Sequence, residues 1–373
     1  MSAEPTPLGD PAPWFSARTL AGATLDLHVD GGRWVVLAFA GPPDDPRAPV
    51  ELAPLLEAAT PAVDDHLVAC VIYSAPPADA ASLAARSGPG LAFIADLDDG
   101  IAALYGAQRS PRTIVLDPML RVVANIAWDF AAGHEATLRT VLKSLPPIDQ
   151  SCGVPLSAPS LIVPRVLDFS LCDLLVGLYD QVGGEDSGFL LDSGGRTATV
   201  IDHRLKQRRD LVIAVPELKR AIAGQIRRRL LPAIARYFQF TVTRMDRYIV
   251  SCYDSGSGGH FFRHRDNVNA GAEHRRFAVS INLNGDYEGS DLVFPEFGRR
   301  TYRAPVGGAI VFSCGALHEV TPIRRGRRYA FLPFLYGEAD AALRARNNAR
   351  LAAGEAHYRA DDHDLLVEAE AGD

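Results

Sequence analysis

A short stretch in the second half of the chain, HFFRHRDN (260–267), combines two histidines, two arginines and an aspartate with two phenylalanines. Alternate side chains of a β-strand point to the same face. If this stretch is a strand, His264 and Asp266 share one face, and Arg263 and Arg265 share the other. An imidazole and a carboxylate on one face are two of the three ligands of a facial metal site. The sequence therefore predicts a metal site here, provided that a third ligand comes from elsewhere.

The third ligand that we predict is His318, which follows an apolar stretch and a short glycine-containing loop. The 54 residues from 264 to 318 are enough for the chain to cross to a facing sheet and return. Two histidines and one carboxylate leave other coordination positions open, which suits non-haem iron(II) oxygenases. Ten residues after His318, Arg328 has the side chain that would bind the distal carboxylate of a dicarboxylic acid through two hydrogen bonds. The pattern therefore indicates iron(II), 2-oxoglutarate and oxygen.

The composition is that of packed globular domains, with 47% hydrophobic and 22% charged residues. A chain of 373 residues is long enough for two domains. Its net charge of −7 gives no indication of a nucleic-acid or membrane-surface binder, and no apolar run reaches the roughly 18 residues that span a bilayer. Five cysteines without a CxxC motif, and an N-terminus without a signal-peptide pattern, lead us to expect a cytoplasmic protein.

The first half of the chain alternates between strand-like and helix-like segments. The apolar runs Trp34–Gly41, Leu67–Ala75 and Thr113–Pro118 end in turn residues and are typical of strands buried on both faces. Alanine-rich segments with helical spacing lie between them, and a last helix is expected at about 135–145. This alternation predicts an α/β domain over residues 1–147.

The second half begins with a linker at 148–159, which is rich in Pro, Ser and Gly. Helical patterns follow at about Ser170–Val182 and Pro216–Phe238, and after them the sequence is strand-like throughout. Helices followed by a run of antiparallel strands predict a double-sheet β barrel or jelly roll with flanking helices over residues 160–337. Residues 338–373 are expected to form a helix and an acidic tail.

One of these strands, FAVSINLN (277–284), alternates clearly between two kinds of side chain. The alternation predicts one apolar face and one smaller, more polar face. The apolar face would contain Phe277, Val279, Ile281 and Leu283, and the other face Ala278, Ser280, Asn282 and Asn284.

Three segments of the second half together resemble the iron(II)/2-oxoglutarate dioxygenases of the prolyl 4-hydroxylase type. They are YDSGSGGHFFRHRD, GSDLVFPEFG and YRAPVGGAIVFSCGALHEVTPIRRGRRYAF, and the resemblance extends over about 158–336. It implies a double-stranded β-helix (jelly-roll) fold. It also implies a role for five side chains: iron ligation by His264, Asp266 and His318, binding of the 2-oxoglutarate carboxylate by Arg328, and a hydrogen bond to the co-substrate from Tyr253.

The same resemblance implies the activity. It is hydroxylation of a substrate with release of succinate and CO2, dependent on Fe(II), 2-oxoglutarate and O2 and supported by an ascorbate-type reductant. Asp266 favours hydroxylation over halogenation, because its loss would open a coordination position for a halide. The segment GSDLVFPEFG departs from the family pattern Gly-Gly-x-Thr-x-Phe-Pro at Ser290 and Leu292. The substrate therefore stays open among a peptidyl proline, a free amino acid and another small metabolite.

The first half resembles the peroxiredoxin-like thioredoxin folds over about 7–146. The resemblance rests on LGDPAPWFSARTLAGATLDLHVDGGRWVVLAFAGPPDDP and on SPRTIVLDPMLRVV, in which Pro111 matches the position of the cis-proline of that fold. The position of the peroxidatic cysteine is occupied by Pro49, which cannot form a thiolate. Cys70 is at the end of a predicted buried strand and is expected to be inert. We therefore expect a degenerate redoxin-like domain that serves substrate docking or homodimerisation, rather than a peroxidase.

Two other functions fit parts of the sequence. A non-catalytic sensor or scaffold would bind metal or 2-oxoglutarate in the barrel without turnover. A nucleic-acid repair dioxygenase would be suggested by the stretch from Arg204 to Arg247, which has 12 Lys or Arg against 3 acidic residues. We interpret this stretch as a solvated helix face and expect a small-molecule or peptide substrate, with no nucleic-acid or membrane partner.

Overall fold

The computed structural model describes residues 6–59, 66–129, 133–359 and 365. The chain divides into two compact units, one comprising residues 1–158 with 294–300 and the other residues 159–293 with 301–373. The predicted C-terminal helix is present, whereas most of the predicted acidic tail lies outside the described residues. No helix in the described ranges has the length and apolar character that crossing a membrane requires.

The first unit is an α/β unit. Its elements are β1 (Ser16–Arg18), β2 (Thr24–Asp26), β3 (Trp34–Gly41), α1 (Ala48–Glu51), α2 (Ala53–Ala58), β4 (Leu67–Tyr73), α3 (Ala80–Arg86), β5 (Leu91–Ala95), α4 (Gly100–Leu104), β6 (Arg112–Leu116), β7 (Val122–Ala127) and α5 (His134–Ser144). The main sheet has the strand order β5-β4-β3-β6-β7. Strands β3, β4 and β5 are parallel, and β6 and β7 are antiparallel to their neighbours.

Strand β3 shows why the sheet is buried on both faces. Val35, Leu37 and Phe39 pack into one hydrophobic cluster, while Trp34 and Val36 pack into another. Since successive side chains of a strand point to opposite faces, a continuous apolar run supplies both clusters at once. The three long apolar runs of the sequence therefore became the central strands of this unit.

Two residues of the redoxin-like resemblance, Pro111 and Cys70, can be examined in the structure. Pro111 matches the position of the cis-proline of that fold in sequence, but the peptide bond before it is trans, as are all the peptide bonds of the described residues. Cys70 is buried within β4, and burial raises the pKa of its thiol well above the usual range. A thiol that resists deprotonation is a poor nucleophile, which agrees with the expectation that Cys70 is inert.

A buried polar cluster joins α5 to the sheet of this unit. Nδ1 of His134 lies 2.6 Å from a carboxylate oxygen of Glu51, and Nε2 lies 2.9 Å from the hydroxyl of Thr113. The same hydroxyl accepts a hydrogen bond from the indole N–H of Trp128 at 3.1 Å. Burial lowers the pKa of His134 below its ordinary value of 6.5, although Glu51 opposes this effect.

We expect this histidine to make the first unit less stable in mild acid. Because the pKa of His134 is lower in the folded than in the unfolded state, the unfolded chain binds the proton more readily. Its contribution to stability is present above the unfolded pKa of about 6.5 and is lost as the pH falls. All three tryptophans belong to this unit, so urea unfolding followed by tryptophan fluorescence reports on it alone. His134→Gln should reduce the change in unfolding free energy between about pH 7.5 and about pH 5.5; an unchanged pH dependence would contradict the assignment.

The second unit is rich in β-strands. Its elements are β8 (Ser160–Val163), α6 (Phe169–Val182), β9 (Glu185–Asp186), β10 (Phe189–Ser193), β11 (Arg196–Val200), β12 (Lys206–Gln207), β13 (Arg209–Val212), α7 (Pro216–Arg229), α8 (Leu231–Phe238), β14 (Arg244–Asp246), β15 (Ile249–Asp254), β16 (His260–His264), β17 (Phe277–Asn282), β18 (Glu288–Gly289), β19 (Leu292–Val293), β20 (Thr301–Tyr302), β21 (Ala309–Ser313), β22 (His318–Val320), β23 (Ile323–Arg325), β24 (Arg327–Phe331), β25 (Phe334–Tyr336) and α9 (Glu338–Asn347).

Two sheets of this unit position the candidate site. The larger sheet contains the path β14-β25-β17-β24-β15-β13-β9, with β21 and β8 added beside β17. The smaller sheet has the order β12-β16-β22-β19-β20. One hydrophobic cluster joins the apolar face of β17 to helices α6, α7 and α8, through residues such as Val279, Leu175, Ile226 and Ile234.

The single helix predicted over Pro216–Phe238 is two helices, α7 and α8, that meet at Leu230. Pro232 lies in the first turn of α8. Because proline has no N–H to donate to the carbonyl four residues earlier, it interrupts a helix but is well suited to a first turn. The prediction was wrong on this point because the apolar spacing continues through the break.

Candidate metal centre

The pairing of two short strands brings two histidines together. His264 ends β16, and His318 begins β22. These strands are antiparallel, and their register places His264 directly opposite His318. The centroids of the two imidazole rings are 4.2 Å apart. The proximity of residues 54 positions apart in sequence is thus a consequence of strand register.

Asp266 lies just beyond the end of β16, where its backbone N–H donates a hydrogen bond to the carbonyl of Cys314 at 2.9 Å. Its carboxylate oxygens are 3.6 Å from Nε2 of His264 and 3.4 Å from Nε2 of His318. One potential ligand atom from each of the three side chains lies within 4.8 Å of the others. The structure therefore brings together the three residues that the sequence predicts as metal ligands.

Backbone carbonyls orient both imidazoles. Nδ1 of His264 is 2.7 Å from the carbonyl oxygen of Phe262, and Nδ1 of His318 is 3.1 Å from that of Ala316. Since a carbonyl can only accept, each Nδ1 donates, and a neutral ring then has its lone pair on Nε2. Both Nε2 atoms face Asp266. Histidines that bind a metal through one ring nitrogen typically donate the other ring N–H to a carbonyl or carboxylate in this way.

The charge states also suit a cation. Burial alone would raise the pKa of Asp266, but His318 and His264 offset this effect and hold that pKa well below its usual range. Burial, together with repulsion from His264, lowers the pKa of His318 to about 4. At neutral pH the carboxylate is therefore ionised and His318 is neutral, which are the forms in which these groups bind a metal.

Arg328 and Tyr253 lie side by side on two neighbouring strands of the larger sheet. Strands β15 and β24 are antiparallel, and their register places Tyr253 directly opposite Arg328. Both side chains are buried. The Arg328 guanidinium donates to the Oδ1 of Asn282 at 3.1 Å, to the backbone carbonyl of Ser290 at 3.0 Å and to the hydroxyl of Ser280 at 2.6 Å. Two of these three acceptors come from the polar face predicted for β17.

The five predicted site residues, Tyr253, His264, Asp266, His318 and Arg328, line a single cavity in the second unit. Neighbouring arginines of the same segment lie outside this cavity. Arg325 and Arg327 are exposed and form ion pairs with Glu288 and Asp254 respectively. Of the arginines in this segment, Arg328 is thus the one that reaches the cavity among the described residues.

Sequence reasoning missed two other arginines of the cavity, Arg208 and Arg247. The interpretation of the basic stretch as a solvated helix face was wrong for these residues and for Lys206, since Lys206 and Arg208 are buried and Arg247 is partly buried. A signal was present: Lys206, Arg208 and Asp210 follow one another at the two-residue spacing of a strand face. Arg208 donates to the Tyr253 hydroxyl at 3.3 Å and to Asp210 at 2.7 Å.

A two-sheet β unit that brings two imidazoles and one carboxylate to a cavity has the donor set of a non-haem iron(II) oxygenase. The donors fit iron(II) because they are nitrogen and oxygen ligands without a thiolate. In agreement with this, residues 248–336 match the 2OG-Fe(II) oxygenase superfamily, and this part of the chain is a 2OG-Fe(II) oxygenase domain. Such domains use Fe(II), 2-oxoglutarate and O2, the cofactor and co-substrates expected from the sequence.

Individual proteins show more distant similarity. The chain is 27% identical over 157 residues to a PKHD-type hydroxylase of Nitrosomonas europaea, covering 39% of this chain and 65% of that relative. A prolyl hydroxylase of Trichoplax adhaerens matches with 22% identity and a TM-score of 0.41, covering 50% of this chain and 87% of that one. The peroxidoxin BcpB of Mycobacterium tuberculosis matches with 19% identity and a TM-score of 0.33, covering 38% and 99%. The chain thus spans 65% of the length of its curated hydroxylase relative.

Proposed function

We propose that this protein is an Fe(II)- and 2-oxoglutarate-dependent hydroxylase of a small-molecule or peptide substrate. In this proposal His264, Asp266 and His318 bind the iron, and Arg328 binds the distal carboxylate of 2-oxoglutarate. The observation that supports it most directly is the strand register that sets His264 opposite His318, with Asp266 within 3.6 Å of both. The PKHD-type hydroxylase name of the curated relative agrees with this proposal.

The finer features of the proposal follow the sequence predictions. The second unit would be a double-stranded β-helix and the first a thioredoxin-like unit without a peroxidatic thiol. Tyr253 would hydrogen-bond the co-substrate through its hydroxyl, which lies beside Arg208. The five cysteines are free thiols, as expected for a protein of the reducing cytoplasm.

Bound iron with 2-oxoglutarate supplies the activation of O2 and the hydroxylation of a C–H bond. The protein prepares this chemistry by holding its own groups ready. The ionised Asp266 and the neutral imidazole of His318 bind without first losing a proton. The carbonyls of Phe262 and Ala316 fix the orientation of the two imidazoles.

The walls of the cavity control what else can enter. Apolar side chains, including Leu292, Phe312 and Val320, line it beside the candidate ligands. An apolar lining excludes bulk water and strengthens the electrostatic interactions of the few polar groups that remain. Arg328 is held in a fixed position because it donates three hydrogen bonds to the protein. It can therefore bind a carboxylate with little further loss of side-chain entropy.

A turnover assay with the purified full-length chain tests this proposal. We expect consumption of 2-oxoglutarate and formation of an equimolar amount of succinate, measured by mass spectrometry, and a dependence on added Fe(II) and on O2. Omission of either should reduce succinate to the level without protein. Tight binding of 2-oxoglutarate without succinate formation in the presence of candidate substrates would favour the sensor or scaffold function instead.

A further inference from the structure

The cavity contains one cation that the proposed iron and 2-oxoglutarate chemistry does not use. Three arginines line it: Arg208, Arg247 and Arg328. Arg328 donates to three protein acceptors, and Arg208 donates to Tyr253, Ser187 and Asp210. Arg247, by contrast, donates no hydrogen bond to any residue that the structure describes.

The neighbours of Arg247 that the structure describes contact its guanidinium but do not accept hydrogen bonds from its N–H groups. The guanidinium carbon lies 5.0 Å from the centroid of the Phe334 ring, a cation–π arrangement. Its nearest ion-pair partner is Asp210, at 3.6 Å. That carboxylate already accepts hydrogen bonds from Arg208 at 2.7 Å, from Ser187 at 2.5 Å and from Ser251 at 2.6 Å. The N–H donors of Arg247 are therefore available to a ligand.

The backbone at Arg247 is itself unusual. Its φ is +66°, the left-handed conformation, in the two-residue connection between β14 and β15. A non-glycine residue is strained in this region, and such residues occur disproportionately at functional sites. An arginine, rather than a glycine or asparagine, thus occupies this strained position beside the cavity.

The charges of the cavity do not balance when iron and 2-oxoglutarate are counted. The two positive charges of Fe(II) and the one of Arg328 are offset by the two negative charges of 2-oxoglutarate and the one of Asp266. Arg208 and Arg247 then add two positive charges against the single negative charge of Asp210. A buried charge without a partner is costly. One negative charge is therefore missing from the cavity.

Two further cations lie beside residues that line the cavity, and neither reduces this excess. Nζ of Lys206 is 4.9 Å from the centroid of the Phe261 ring. The guanidinium carbon of Arg275 is 4.0 Å from the centroid of the Phe334 ring. Burial lowers the pKa of Lys206 well below its usual range, so its positive charge is disfavoured at this position.

We propose that Arg247 binds a carboxylate group of the primary substrate, so that the enzyme selects a carboxylate-bearing molecule. This proposal rests on the hydroxylase function proposed above. A carboxylate matches the planar fork of one guanidinium through two parallel hydrogen bonds. With Asp210 paired to Arg208 at 2.7 Å, Arg247 leaves one positive charge of the cavity lining without close compensation. One charge favours a monoanionic carboxylate over a phosphate monoester, which carries nearly two negative charges at neutral pH.

Binding to the anaerobic complex of full-length protein, Fe(II) and 2-oxoglutarate tests this proposal without turnover. The probes are a panel of N-acetyl amino acids and the matching N-acetyl amino acid amides, titrated calorimetrically and by their effect on the visible iron-to-2-oxoglutarate charge-transfer band. We expect at least one acid to bind at least about tenfold more tightly than its amide, since a hydrogen bond between two charged groups is stronger than one to a neutral amide. In Arg247→Gln the acid should bind no better than the amide, whereas Arg247→Lys should retain part of the preference.

The matched control is Arg209→Gln, because Arg209 is an exposed arginine of the same basic stretch and should leave the acid preference intact. Equal binding of acids and amides to the unchanged protein, or binding of neither, would overturn the proposal, as would preferential binding of the corresponding phosphate esters. If Arg247→Gln weakened 2-oxoglutarate itself, Arg247 would be the co-substrate anchor and the proposal would be wrong. Absence of the charge-transfer band before any probe is added would instead contradict the proposed function.

Discussion

Replacement of Asp266 or His264 by alanine is expected to abolish both the charge-transfer band of the anaerobic Fe(II)–2-oxoglutarate complex and the formation of succinate. Loss of a residue that only hydrogen-bonds a metal ligand lowers metal affinity by about 10- to 100-fold. Loss of a ligand itself should lower the affinity further. In Asp266→Ala the site also loses the only carboxylate of its candidate ligands, so two imidazoles alone would have to hold the cation. We therefore expect Fe(II) affinity, measured by anaerobic titration, to fall by more than about a hundredfold.

The chain offers a matched control for the histidine variant. His260 lies on the same strand as His264, four residues earlier. It does not belong to the group of residues that could hold a metal ion. One of its ring nitrogens is 2.7 Å from the carbonyl of Gly258 and the other is 3.1 Å from that of Arg204. His260→Ala should therefore retain the band and the turnover. Succinate formation at an unchanged rate in His264→Ala would show that the metal, if it is required, binds elsewhere.

A variant that loses activity because it unfolds must be distinguished from one that loses only its metal. The two imidazoles more than offset the cost of burying the charged Asp266, so the variant loses a local electrostatic interaction. Asp266 is not part of the hydrophobic cluster of this unit. We therefore expect Asp266→Ala to remain folded without metal, with a circular dichroism spectrum like that of the unchanged protein. Retained secondary structure with lost Fe(II) binding is the combination that identifies Asp266 as a ligand.

The local features of the site could be predicted because they depend on short-range rules. The two-residue spacing of His264 and Asp266 and the alternation in β17 are set by the geometry of a strand, whatever surrounds it. The apolar face of β17 does pack into the core, and Ser280 and Asn282 on the other face contact Arg328. The position of His318 could be anticipated only as a distant partner, since its register with β16 is a tertiary property.

The features that were missed depend on partners far apart in the sequence. A basic stretch is normally solvated, and nothing local reveals that Arg208 and Arg247 are held near Asp210. The other partners of that carboxylate are Ser187 and Ser251, which come from distant parts of the chain. Burial of a charge becomes acceptable only when such a network is assembled, and one sequence does not display the network.

The departure of Ser290 from the family pattern has a local structural correlate. Ser290 adopts the left-handed conformation, with φ +55°, where glycine is favoured. Its carbonyl nevertheless accepts a hydrogen bond from Arg328, while its buried hydroxyl has no hydrogen-bond partner among the described residues. The contact to Arg328 is thus made by the backbone of Ser290, whereas its side chain adds a polar group that glycine lacks.

Replacement of Arg328 by alanine is expected to raise the Kd for 2-oxoglutarate by about a hundredfold or more while leaving Fe(II) binding largely intact. Each of the two hydrogen bonds between a guanidinium and a carboxylate contributes about 1.5–3 kcal/mol. Since about 1.4 kcal/mol of binding free energy corresponds to a tenfold change in Kd, the loss of both gives about a hundredfold or more. The measurement is the charge-transfer band titrated with 2-oxoglutarate at saturating Fe(II). Arg328→Lys should recover part of the affinity, because it restores the charge without the planar fork.

The variant also removes the donor to Ser280, Asn282 and the Ser290 carbonyl, so some loss of stability is expected, at about 1–3 kcal/mol for each buried acceptor left unpaired. Added methylguanidinium should restore 2-oxoglutarate binding to a folded Arg328→Ala protein and should not restore it to an unfolded one. Arg325→Ala is the matched control, because Arg325 lies three residues away, is exposed and pairs with Glu288. If Arg328→Ala bound 2-oxoglutarate normally while Arg247→Gln did not, the two arginines would have exchanged the roles proposed for them, and the excess positive charge of the cavity would belong to the co-substrate rather than to the substrate.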